Sequence, residues 1–270
     1  KFRGLNFQSF KHPMKLEPSI LTDYMPNGTL REIINSEKMN IAKPNWNPTK
    51  KYINFLGISH AMKYLHKNQI IHRDLKPENI LSDDNLYPQI CDFGLSRYCS
   101  IETLLMTKKI GTRLYMAPEL YYDDEYYGKG VDVYAFSLIV YEMMARKMPF
   151  LDLDKDILNN ESKFFKEIKN GYRPSFPESI PAKMKELIMQ CWDTNPNKRP
   201  SFEYIFNELS RDFYSYIDEY VDADEIKYYL DILEESDENE KKKEEKKANN
   251  DYADKRTNDK DDKKTNDKDD

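Results

Sequence analysis

Four side chains between positions 74 and 92 could handle a phosphate together: Asp74, Lys76, Asn79 and Asp92. Asp74 is placed to accept or steer the proton of an attacking hydroxyl. Lys76, two residues on, faces the same way in an extended loop and can balance phosphate charge. Asn79 offers a neutral oxygen and Asp92 a carboxylate, the hard oxygen ligands that magnesium prefers. Phosphoryl transfer asks a protein for little covalent work. It needs positioning, charge neutralisation and a group that orients the nucleophile. Gly94 frees the backbone to turn beside Asp92. A surface loop with scattered charges is the bland alternative, and the completeness of the set argues against it.

The set is carried by two short runs, His72-Arg73-Asp74-Leu75-Lys76-Pro77-Glu78-Asn79 and Asp92-Phe93-Gly94, with a strand-like stretch between them. Ahead of them apolar residues recur at Ile53, Leu56, Ile58, Ala61, Met62 and Leu65, which predicts an amphipathic helix over 49–67. Short extended segments are expected at Ile70-Ile71, Ile80-Leu81 and Gln89–Cys91. At the N-terminus, 1–5 and 19–22 read as strands flanking a polar, proline-bearing turn. Met25–Thr29 reads as a turn into a helix over 30–35, with Thr29 as its N-cap. Downstream, helical periodicity covers 132–145, 162–170, 182–192 and 201–211, and one or two helices are expected within 213–233. The pattern is α+β and mainly α.

The chain has 270 residues, 39% of them hydrophobic, enough for a sizeable core. A net charge of −6 provides no basic field for nucleic acid. Cys91, Cys99 and Cys191 show no framework spacing, which fits a reducing compartment and a cytoplasmic location. No apolar run approaches the ~20 residues of a membrane helix. Val133–Tyr141 is too short and reads as a buried core helix. Beyond Asp237 apolar residues nearly vanish, 241–247 is charged throughout, and Thr257–Lys264 is partly repeated from Thr265. That composition predicts disorder. The chain starts with Lys1 rather than Met and is expected to belong to a longer reading frame.

The two motifs, in this order, resemble the catalytic loop and metal-binding segment of eukaryotic protein kinases. The resemblance continues through Gly111-Thr112-Arg113-Leu114-Tyr115-Met116-Ala117-Pro118-Glu119, which is similar to the family's substrate-binding loop. It implies that Thr112 hydrogen-bonds the catalytic Asp and Lys, that Glu119 pairs with Arg199, and that Asp132 braces the catalytic-loop backbone. Alone, Asp132 would read as an N-cap. The segment between Gly94 and Ala117 corresponds to the activation loop and holds Ser96, Ser100, Thr103 and Thr107. Thr103 or Thr107 is the expected phosphorylation site, paired with Arg73. Ile20–Met25 resembles the last N-lobe strand and the hinge. By that mapping Thr22 is the gatekeeper, the backbones of Asp23 and Met25 bind adenine, and Leu81 forms the floor under the ring.

The resemblance thus implies ATP and Mg2+ as cofactors and a protein substrate. It implies a kinase-like C-lobe with hinge and a truncated N-lobe sheet: residual N-lobe strands over 1–22, hinge and C-lobe over 23–211, a helical extension over 212–236 and a disordered charged tail over 237–270. Lys76 and Thr112 resemble the serine/threonine class, while Asp23–Leu30 and Cys191-Trp192 with Arg199–Phe202 resemble its tyrosine-kinase-like branch; together they imply a tyrosine-kinase-like serine/threonine kinase. No glycine-rich loop or strand lysine of the family is matched, since Lys1, Lys11 and Lys15 sit in no suitable strand. A kinase-like interaction module without catalysis is therefore the rival reading. Nothing in the residues fixes an oligomeric state.

Overall fold

The computed structural model describes residues 2–8, 16–92, 113–122, 128–217 and 220–265. Gly94, Ser96, Cys99, Ser100, Thr103, Thr107, Gly111 and Thr112 lie outside the described residues, as do Lys1, Lys11 and Lys15. Two compact units are present, residues 1–221 and 222–270.

The first unit opens with an antiparallel ribbon of β1 (Phe2–Gln8) and β2 (Leu16–Thr22), with Leu5 opposite Ile20 and irregularities between Phe2 and Gly4 and between Asn6 and Gln8. Leu5, Ile20 and Leu21 are exposed, which leaves an apolar face uncovered among the described residues. A tight turn follows, closed by Gly28 N–H donating to Met25 O at 3.2 Å. Gly28 has φ +71°, and a Cβ there would meet the Glu32 carboxylate at 2.0 Å. Only glycine fits that position. The close carboxylate is half of a capping box: Thr29 accepts from Glu32 N–H and Glu32 accepts from Thr29 N–H, starting α1 (Leu30–Lys38).

Two helices form the centre. In α2 (Pro48–Lys67), capped by Asn47, every residue from Thr49 to His60 is buried. The helix is thus wrapped on all sides rather than amphipathic. Its buried Lys51 is matched by Glu37 at 2.6 Å, and Lys50 lies over the Tyr87 ring at 4.7 Å. In α4 (Gly130–Ala145), buried residues run without a break from Val131 to Met143. The helix ends at Arg146 in the left-handed conformation.

Smaller helices close around this pair: α3 (Pro118–Tyr121), α5 (Lys155–Asn159), α6 (Glu161–Lys169), α7 (Ala182–Cys191) and α8 (Phe202–Arg211). α8 packs on α2, α7 on α4, and α3 on α6, where Tyr121 stacks on Phe165 at 4.1 Å. A second antiparallel pair, β3 (Ile80–Ser82) and β4 (Pro88–Ile90), sets Leu81 opposite Gln89 and packs β4 on α2.

One expectation needs correction, and two further positions gain detail. Ile70-Ile71 is not a strand, because Gln69 turns the chain out of α2 at φ 58°, Ile70 N–H donates back to Leu65 O at 2.9 Å, and the His72 and Arg73 N–H groups go to Asp132 instead of a ladder. Asp132 is not an N-cap but the third residue of its helix. The segment beyond Asp237, for which composition predicts disorder, is helical: α9 runs Ala223–Thr265 in the second unit. Its Glu and Lys residues are good helix formers, and Lys243–Glu240 (2.7 Å) and Lys242–Glu238 (3.6 Å) pair along it. No described helix is long and apolar enough to cross a membrane.

Candidate active site

The first three chemical residues meet where α2 hands over to β3. Residues 70–76 have no regular structure, and Pro77–Asn79 form one 3-10 turn leading into β3. Pro77 suits the start of that turn because its missing N–H costs nothing there. Lys76 Nζ donates to both Asp74 oxygens, at 2.9 and 2.7 Å. Asn79 Nδ2 donates to Asp74 O at 2.8 Å and to Asp74 Oδ2 at 2.9 Å. With its nitrogen committed, the Asn79 oxygen is the end left to face a cation.

Asp92 is brought near by the β3–β4 hairpin rather than by a direct contact. Cys91 N–H donates to Asn79 O at 3.0 Å, so the residue preceding Asp92 is bonded to Asn79 itself. Asp92 has φ 67°, a left-handed conformation tolerated best by Asp and Asn among non-glycine residues. Burial, then the Asp92 charge, pushes the Cys91 thiol up, so a neutral thiol sits beside the site.

The backbone under Asp74 is held from below by one carboxylate. Asp132, on the first turn of α4 and 1% exposed, accepts His72 N–H and Arg73 N–H, both at 2.8 Å. It also accepts from His66 Nε2 at 2.9 Å, a bond from the end of α2. His72 bridges the two halves of the site: its Nε2 lies 3.0 Å from Cys91 O and its Nδ1 accepts Asp74 N–H at 3.3 Å. Both contacts are met by the tautomer protonated on Nε2. Arg73 takes φ 68°, a strained conformation that the two bonds to Asp132 hold in place.

The Glu119–Arg199 pair forms as the resemblance implies, with contacts of 2.5 and 3.1 Å. Arg199 also donates to Gly130 O and Asp193 O. It joins α3, the start of α4 and the turn before α8. Between these supports a cleft is lined by Arg73, Asp74, Tyr115, Met116, Ala117 and Leu120, among others. Asp74 and the 113–120 segment therefore border the same small pocket, whose remaining side is Val131, Asp132 and Ala135 of α4.

The turn after β2 is tied to β3 beside this cleft. Ser82 N–H donates to Gly28 O at 2.9 Å, Asn27 Nδ2 to Asp83 O at 2.7 Å, and Thr29 bridges Leu81. Leu81 is half-buried, and Thr22 is exposed at the end of β2. Asp23 forms an ion pair with Arg3 across the ribbon.

One cluster escapes the sequence reading. Arg31, on the first turn of α1, donates to Glu78 (2.8 Å), to Glu142 (2.7 Å) and to the Tyr115 hydroxyl (2.5 Å). Glu142 is fully buried and also takes Lys38 Nζ at 2.5 Å and the Tyr115 hydroxyl. Burial alone would push the Glu142 carboxyl up; the Arg31 bond and charge, with Lys38 and Tyr115, outweigh it and hold the carboxyl low. Arg31 and Glu142 are 111 residues apart, and no local pattern marks either one.

Among the described residues no group of three or more His, Cys, Asp or Glu side chains could cage a metal ion. Magnesium does not need one. It dehydrates reluctantly and is usually held by one or two carboxylates with water and phosphate oxygens, a donor set that Asn79 and Asp92 fit.

The family model for the protein kinase domain matches residues 7–209. A probable serine/threonine-protein kinase of Dictyostelium discoideum is 38% identical over 190 residues, covering 70% of this chain and 19% of that protein. Dual specificity protein kinase pyk3 of the same organism is 35% identical over 192 residues, covering 71% and 13%. Serine/threonine-protein kinase 12 of Arabidopsis thaliana is 35% identical over 198 residues, covering 70% and 40%. The chain thus spans less than half the length of each of these relatives.

Proposed function

The chain belongs to the protein kinase family, and from that premise we propose that it serves an ATP-dependent kinase acting on serine and threonine hydroxyls of protein substrates. The observation that carries the reading is the convergence of Asp74, Lys76 and Asn79 at bonding distance, on a backbone braced by Asp132. Asp74 orients the substrate hydroxyl and takes up its proton. Lys76 supplies positive charge beside the transferring phosphate. Asn79 and Asp92 would hold magnesium, which when bound neutralises phosphate charge. Thr22, the backbones of Asp23 and Met25, and Leu81 would form the adenine side of the site, a reading supported by the bonds that tie the turn at Gly28 and Thr29 to β3. The choice of serine and threonine draws on Lys76 and on two of the relatives named above; the dual specificity relative makes phosphoamino-acid analysis a necessary part of the test.

The test is Asp74→Asn in the full-length protein, assayed with labelled ATP and a protein substrate. Loss of general-base function is expected to reduce transfer by about 10²–10⁴-fold, with label on serine and threonine in the unaltered protein. Unchanged transfer would remove Asp74 from the chemistry. No transfer by the unaltered protein, with partner binding intact, would favour the interaction-module reading.

A further inference from the structure

Arg31 ties three distant chain segments together beside the site, and none of the motifs that define the site includes it. Its guanidinium spans Glu78, the residue immediately before Asn79; Tyr115, which lines the same pocket as Asp74; and Glu142, deep in α4. The arginine side chain is 11% exposed and the Glu142 side chain fully buried, so water competes little for that bond, while the Glu78 arm is partly exposed. Guanidinium is a planar fork with donors in fixed directions, so satisfying three acceptors together fixes their separation. The Tyr115 ring also lies 5.7 Å beneath the guanidinium carbon, a second contact that resists sliding. Lys38, from the last turn of α1, shares the Glu142 oxygen that Arg31 uses, which anchors α1 at both ends to one buried carboxylate.

We propose that Arg31 is a positioning residue that sets the Tyr115 wall of the cleft at a fixed distance from the segment carrying Asp74 and Asn79. The substrate hydroxyl is thereby presented to Asp74 at a set depth. This deepens the kinase reading and rests on it for the identity of the bound peptide. The ATP side of the site is built on different bonds, those joining Asn27, Gly28 and Thr29 to β3. Arg31 therefore governs peptide engagement more than nucleotide engagement.

The experiment compares the full-length protein with Arg31→Ala, Arg31→Lys and Glu78→Gln, by amide hydrogen exchange and by steady-state kinetics. In Arg31→Ala, exchange should accelerate in 113–120 and 72–82 while α7 and α8 keep their protection. The kcat/KM for peptide should fall by about tenfold or more, with kcat reduced, as misplacement of a reacting group demands. The KM for ATP should stay within about twofold, since the bonds on that side are kept. Arg31→Lys should recover little, because a point charge cannot replace the fork. Exchange that rises uniformly, or KM values for ATP and peptide that rise together, would overturn the proposal and make Arg31 an ordinary stabilising ion pair. If the unaltered protein transfers no phosphate, the kinase reading fails, yet the exchange pattern still decides whether Arg31 sets the cleft. If Arg31→Ala does not fold, Glu78→Gln removes only the partly exposed arm and carries the same readouts.

Discussion

The segment 72–82 and the stretch of α9 beyond Asp237 both carry Asp, Glu, Asn and Lys side chains. In the first, Lys76 and Asp74 have side chains only 10% and 11% exposed, and the backbone beneath them is bonded to a carboxylate some sixty positions away. In the second, Lys242 and Glu238 are 66% and 61% exposed and pair four positions apart on one helix. Exposed pairs of that kind contribute roughly 0.2–1 kcal/mol. The difference teaches that charged composition carries no chemistry by itself. It becomes a site where burial strips away water and where partners from distant chain segments fix each group in one geometry.

The comparison can be broken most severely at Asp132. Asp132→Ala strands two backbone N–H groups, each costing about 1–3 kcal/mol, and frees the strained Arg73. Transfer should fall by at least about 10²-fold, since small misplacements cost that much. Kinetics and thermal unfolding on one sample would show it, and near-normal transfer would mean that Asp132 does not position Asp74. Arg199→Ala comes next. Leaving Glu119 buried and unpaired should cost ~3–5 kcal/mol in denaturant unfolding, and a loss below about 1 kcal/mol would show that the pair is as weak as an exposed one.

Acid sharpens the contrast without a large mutation. The Glu142 carboxyl is held below its ordinary value of 4.5, so its contribution to stability is complete above that pH and is lost as pH falls through the lower folded value. Glu142→Gln should flatten the acid limb of a plot of Tm against pH, and an unchanged limb would assign acid lability to other carboxylates. The smallest effect belongs to α9. Glu240→Gln, which removes the partner of Lys243, should change helix stability by only about 0.2–0.5 kcal/mol, read by circular dichroism at low and high salt. A larger loss would mean that the segment is held by more than its own neighbours.

Much of the site was legible because it is written locally. The spacing from Asp74 to Asn79 sets one turn, Thr29 and Glu32 close a capping box three positions apart, and the period of α2 marks it as a helix. The Glu119–Arg199 pair and the Asp132 brace were accessible through resemblance to a known family, not through spacing. Arg31 was invisible, since an arginine on the first turn of a short helix looks like a solvated face. The helix past Asp237 carries no apolar periodicity to announce it; the helix propensity of Glu and Lys is its only local signal.

By itself the sequence determined the groups available for phosphate chemistry, most helix positions and the turns between them. Those depend on backbone hydrogen bonds and capping that reach three or four residues. Only the tertiary structure decided that α4 would place Asp132 under His72 and Arg73, and that α1 would place Arg31 between Glu78, Tyr115 and Glu142. Such meetings depend on how buried helices pack. A buried charge must then find its partner in whatever segment that packing brings within reach.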